Sequence, residues 1–140
     1  MTAPAYLQHS LLVALGGGTG AWLRHEVGRL FAARLGPGLA TTFPWATLSC
    51  NLAGSFAMGL LTGWLARHGT SGLIGGGENW RLLLGVGLLG GFTTFSAFSL
   101  EFALLAERGA LGHAAIYAAV SMAGAIAGLF AGLALMRAVG

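Results

Sequence analysis

Asn51 stands inside a long apolar run, with Thr47 one turn before it and Ser55 one turn after, so the three share a helical face; Thr62 lies further along. Its carboxamide brings two donors and an acceptor that hydrocarbon cannot satisfy. The plain alternative is interhelical hydrogen bonding; the chemical reading is a donor lining a polar pathway. A second concentration is the string Gly90-Gly91-Phe92-Thr93-Thr94-Phe95-Ser96-Ala97-Phe98-Ser99. Two glycines followed by two threonines make poor helix. A break there would release backbone carbonyls, which are tolerated at membrane depth only where protein, water or an ion receives them, and broken helices that aim carbonyls at a cation are a recurring transporter device. The alternative is a kinked, continuous helix with threonine hydroxyls bonded back one turn. Phe95, Phe98 and Phe102 then follow at helical spacing, interleaved with Ser96 and Ser99, and Tyr117 and Ser121 repeat the i, i+4 pattern. A phenylalanine stripe ordinarily packs or faces lipid. Ring edges are positive, however, and an interior of hydroxyls, one amide and ring edges with no buried carboxylate suits a small anion.

These residues need helices in lipid to position them. Of 140 residues, 56% are hydrophobic and 8% charged, and the mean hydropathy is +0.78. Seven arginines and four glutamates, with no lysine or aspartate, cannot clothe such a particle in water. Four apolar stretches are each long enough for a core that takes about 20 helical residues. They cover approximately 6–31, 43–66, 82–106 and 114–136, and predict an all-α membrane protein of one four-helix domain. The spacing puts Gly90 to Thr94 roughly 12–18 Å from Leu82, near the bilayer midplane. Connections are expected at 34–42 with Gly36-Pro37-Gly38, at 67–81 with a glycine-rich centre, and at 107–113. Every span carries glycines four apart: Gly16 and Gly20, Gly59 and Gly63, Gly87 and Gly91, and Gly124, Gly128 and Gly132. Such small faces let backbones approach closely.

Several functions are excluded. Three surplus arginines in a nearly uncharged chain make no nucleic-acid patch. Cys50 alone forms no internal disulfide, and His9, His25, His68 and His113 lack metal-site spacing; His9 and Cys50 read as packed or interfacial. Gly16 to Gly20 imitates a phosphate loop but lacks the following Lys-Ser/Thr. Without a positive segment before residue 24, the first span reads as a retained helix rather than a cleaved signal. Glu101 reads as interfacial or paired with an arginine. With the N-terminus inside, Arg67, Arg81 and Arg137 lie inside, and Arg24, Arg29, Arg34 and Arg108 outside. Four against three sets no orientation, so the chain is free to insert both ways.

The chain resembles, over essentially its whole length, the Fluc (CrcB) fluoride channels of bacteria. The resemblance is carried by Gly20-Ala21-Trp22-Leu23-Arg24, by Pro44 to Gly54 (PWATLSCNLAG), and by Gly90 to Glu101 (GGFTTFSAFSLE). It implies an antiparallel, dual-topology homodimer of four-helix subunits in the bacterial inner membrane, with two fluoride pores and no enzymatic activity. It also implies a structural sodium ion on the dimer axis, held by the carbonyls of Gly90 and Thr93, and no organic cofactor. Asn51 falls on the pore asparagine of that family and Phe95 and Phe98 on the phenylalanines whose edges face fluoride. Arg24 falls on the vestibule arginine, and Tyr117 and Ser121 on the fourth-helix polar track; Thr47 and Ser99 are expected on the fluoride pathway as well. Ala97 and Ala125 depart from the pattern, each where a hydroxyl residue is often found. Two rivals remain: a small four-helix proton-coupled multidrug antiporter, which needs an ionisable group within the membrane, and a non-transporting assembly subunit.

Overall fold

Pro44, which lacks an N–H, stands at the entry of the first uninterrupted apolar run, where that loss costs nothing; its carbonyl accepts from Leu48 N–H at 3.1 Å and the chain winds into helix at once. The computed structural model describes residues 3–68 and 76–139, and their regular structure is entirely helical. Helix α1 covers Ala3–Thr42 and α2 covers Trp45–His68. A composite third element starts with α3, Gly76–Trp80, and continues as a π-helical segment, Arg81–Leu89. It runs on through α4, Gly90–Phe92, and α5, Phe95–Glu107; α6 covers Leu111–Ala138. The glycine-rich centre expected for the second connection falls in 69–75, outside the described residues.

Among the described residues, three elements are long and apolar enough to cross a membrane: Trp45–His68, Gly76–Glu107 and Leu111–Ala138. The chain is thus multi-pass in character. The first expected span is helical throughout but less apolar, because Gln8, His9 and Ser10 open it and Arg24, His25 and Glu26 interrupt it. One expectation is corrected here. Residues 34–42 form no open connection; helix continues to Thr42, and the change of direction is concentrated at Gly36, whose φ of 73° favours glycine. The last connection shrinks to Arg108–Ala110 because Gly109, at φ 75°, closes α5 with a Schellman pattern. There Gly109 N–H meets Ala106 O and Ala110 N–H meets Leu105 O, both at 3.0 Å.

The glycine faces set the packing. A Cβ on Gly16 would strike the backbone of Leu83, and one on Gly87 would come within 2.9 Å of Gly16 Cα, so α1 and the π-helical segment cross backbone to backbone. Gly20 abuts Leu88 and Gly91 abuts Gly17 in the same way. On the other side Gly59 meets Leu129, and Gly132 meets Phe56, which seats α6 on α2. Those contacts bring the middle of α2, the α4–α5 junction and the middle of α6 together around one cleft.

Candidate functional site

The site is organised by two residues that leave the helical path. Thr93 (φ −86°, ψ 155°) and Thr94 (φ −154°, ψ 124°) are extended, so helix stops at Phe92 and resumes at Phe95. A backbone polar group buried without a partner is costly, and each group at this junction can be followed. Leu89 O still receives Thr93 N–H at 3.0 Å, and also the Thr93 hydroxyl at 2.9 Å. In a continuous helix Thr94 N–H would bond Gly90 O. Instead it donates to Asn51 Oδ1 at 2.8 Å, while Asn51 Nδ2 donates to Thr94 O at 3.1 Å. Likewise Ala97 N–H, which a continuous helix would direct to Thr93 O, caps α5 on the Thr94 hydroxyl at 3.2 Å. The carbonyls of Gly90 and Thr93 have thus both lost their helical donors to side chains. Gly91 O has a different partner, the Arg24 Nε–H at 3.3 Å.

Asn51 is therefore interhelical glue, but of a particular kind: its carboxamide stands in for the missing turn of helix. One hydrogen of Nδ2 is spent on Thr94, and a second remains. Asn51 lines a cleft of about 320 Å³ together with Ser55, Thr93, Thr94, Phe95, Phe98, Ser121, Met122, Ala125 and Ile126. Ser121 is 5% exposed, and its hydroxyl has no hydrogen-bond partner among the described residues. Phe98 is buried, whereas Phe95 is 74% exposed on the surface of the chain; their ring centroids are 5.3 Å apart. Phe98 also meets Tyr117 at 5.1 Å.

The remaining expected site residues stand around the cleft rather than in it. Thr47 and Tyr117 both donate to one carboxylate: the Thr47 hydroxyl reaches Glu101 Oε1 at 2.7 Å and the Tyr117 hydroxyl reaches Oε2 at 2.6 Å. Thr47 and Tyr117 are buried and Glu101 half-buried. One sequence reading is corrected by this cluster: the partners of the half-buried Glu101 are hydroxyls and not an arginine. The physical reason is that two hydroxyls from other helices offset much of its desolvation. Ser99 is exposed and bonds back to Phe95 O at 2.9 Å. Arg24 is tied to the carbonyl beside the junction.

Sequence reasoning missed Thr94 and Glu101. A threonine directly before Phe95 carried the helix-capping signal, and Glu101, three residues after Phe98, shares its face. No group of three or more His, Cys, Asp or Glu side chains capable of holding a metal exists among the described residues.

Comparison with known proteins places these features in context. Residues 11–133 match the family model described as CrcB-like protein, Camphor Resistance (CrcB). A protein of Novosphingobium aromaticivorans described as a fluoride-specific ion channel is 55% identical over 139 residues, covering 99% of both chains. Proteins with the same description from Sphingopyxis alaskensis and Chelativorans are 54% and 50% identical, covering 89% and 95% of this chain and 92% and 99% of their own.

Proposed function

The chain belongs to the CrcB-like family, and from that premise we propose that it is a fluoride-selective channel letting cytoplasmic fluoride leave the cell down its electrochemical gradient. The observation that carries the reading is the buried, unpartnered Ser121 hydroxyl in a cleft shared with Asn51, Phe95 and Phe98. A buried donor without an acceptor is rare in native proteins and calls for one. Fluoride is a compact acceptor that holds its water tightly. The second Nδ2 hydrogen of Asn51, the Ser121 hydroxyl and the positive edges of Phe95 and Phe98 replace part of that water. Chloride, being larger, matches these closely placed donors less well. The role is conduction, without covalent chemistry or nucleotide.

The finer architecture belongs to the same proposal. The first helix makes a fourth crossing, the Thr93–Thr94 junction lies near the bilayer midplane, and the subunit pairs with an antiparallel copy in the inner membrane. The exposed Phe95 face supports pairing, as does α6, whose most apolar window is only 11% buried within the subunit. Hard cations take oxygen ligands, and the two carbonyls deprived of helical donors fit that chemistry. Gly90 and Thr93 of each copy would therefore hold a structural sodium ion, which when bound neutralises converging carbonyl dipoles.

Purified protein in liposomes loaded with fluoride tests the proposal through efflux read by a fluoride electrode. Rapid fluoride efflux with little chloride efflux is expected. Equal rates, no fluoride flux, or a pH change driven by a cationic drug would overturn it, the last in favour of the antiporter.

A further inference from the structure

From about 14 Å along α2 beyond Asn51 to about 24 Å at Arg67, at a rise of 1.5 Å per residue, the other end of the bundle carries features that conduction does not use. A groove of about 350 Å³ runs between α2, the π-helical segment and α6, walled by Leu60, Leu61, Trp64, Trp80, Leu84 and Met136 and almost devoid of polar atoms. Trp64 and Trp80 meet edge to face at 6.3 Å, and His68 stacks on Trp64 at 5.6 Å. Tryptophan pairs of this kind sit at headgroup depth. The charges at the groove's end are Arg67, one turn after Trp64, Arg81, next to Trp80, and Arg137, next to Met136. The glutamate at this end is Glu78, which pairs with Arg81 at 2.8 Å. Three arginines against one glutamate leave a surplus of two positive charges around an apolar slot.

We propose that this groove binds an anionic phospholipid, with an acyl chain along Leu60, Leu61 and Leu84 and the phosphate against Arg67 and Arg137. The occupant follows from its surroundings: an apolar slot on the outside of membrane-crossing helices meets acyl chains, and the adjoining positive charge selects among headgroups. The assignment rests on the helices crossing a membrane and is independent of which ion passes between them.

Tryptophan quenching by lipids with dibrominated acyl chains tests it, in phosphatidylcholine vesicles carrying increasing brominated phosphatidylglycerol or brominated phosphatidylcholine. The phosphatidylglycerol is expected to quench at a several-fold lower mole fraction. Arg67→Gln and Arg137→Gln should each weaken that preference about fivefold, and Glu78→Gln, by releasing Arg81, should strengthen it by about the same factor. Trp64→Phe with Trp80→Phe should remove the difference between the two lipids, because the exposed Trp22 and Trp45 report only the quenching common to both. Identical curves for the two lipids, or a preference that survives both arginine substitutions, would overturn the assignment. So would an equal loss in Arg34→Gln at the opposite end, which would mark diffuse surface attraction, or an unchanged difference between the two lipids without Trp64 and Trp80. Monodisperse elution of each variant separates these outcomes from misfolding.

Discussion

Replacing Asn51 by alanine removes both hydrogen bonds that bridge the α4–α5 junction, to Thr94 N–H at 2.8 Å and Thr94 O at 3.1 Å. Each buried group left without a partner costs about 1–3 kcal/mol. With partial relaxation of the extended threonines, a total loss of about 2–4 kcal/mol is expected. That corresponds to a fall in the population of the native junction of roughly 30-fold or more and, for a domain of this size, to a melting midpoint about 10 °C lower. Asn51→Asp provides the control within the same site. Its carboxylate still accepts from Thr94 N–H but sets an oxygen against Thr94 O, so one bond is lost and a repulsion gained. The assay pairs thermal unfolding in detergent with fluoride efflux from liposomes. Alanine should abolish most flux and lower the midpoint, and aspartate should do likewise. An Asn51→Ala protein that melts within 1 °C of the parent (roughly 0.3 kcal/mol) and conducts normally would refute the reasoning.

Thr47→Val and Tyr117→Phe each remove one donor from Glu101, so a double-mutant cycle in thermal or denaturant stability should show coupling of about 0.5–2 kcal/mol; strict additivity would show that the carboxylate does not link them. Gly87→Ala forces a methyl into the Gly16 backbone and should cost about 1–3 kcal/mol. Gly18→Ala, where no atom lies within 4 Å of the added carbon, should be neutral or stabilising by up to ~1 kcal/mol; equal melting points for the two would contradict the helix crossing. Ser121→Ala deletes the unpartnered hydroxyl and should slow fluoride efflux while leaving stability unchanged or raised. A stability loss above about 1 kcal/mol would mean the hydroxyl has a protein partner.

What was legible in the sequence was whatever obeys a period or a local propensity. Long apolar runs announced α2, the third element and α6, and glycines four apart announced which faces touch. The double-glycine, double-threonine string marked the place where Thr93 and Thr94 turn extended. Hidden features depended on partners far away in the chain. Asn51 meets Thr94 across 43 positions and Thr47 meets Glu101 across 54, so neither pairing leaves a trace in any helical window. A lone carboxylate is costly in hydrocarbon, and only the fold supplies Glu101 with its two hydroxyls. Around Gly36 the motif Gly-Pro-Gly suggested an open loop, yet one glycine dihedral is enough to turn the chain between helical stretches. The π-helical winding of Arg81–Leu89 had no residue signal at all.

If the cleft around Asn51, Phe95, Phe98 and Ser121 is the ion pathway, it passes fluoride and refuses chloride. The reversal potential of the purified protein in a planar bilayer tests this, with fluoride at tenfold different concentrations on the two sides and chloride making up the difference. A potential close to the Nernst value for fluoride alone is expected, on insertion in either direction. A potential near zero, the mark of a pore indifferent to which halide it carries, would contradict it.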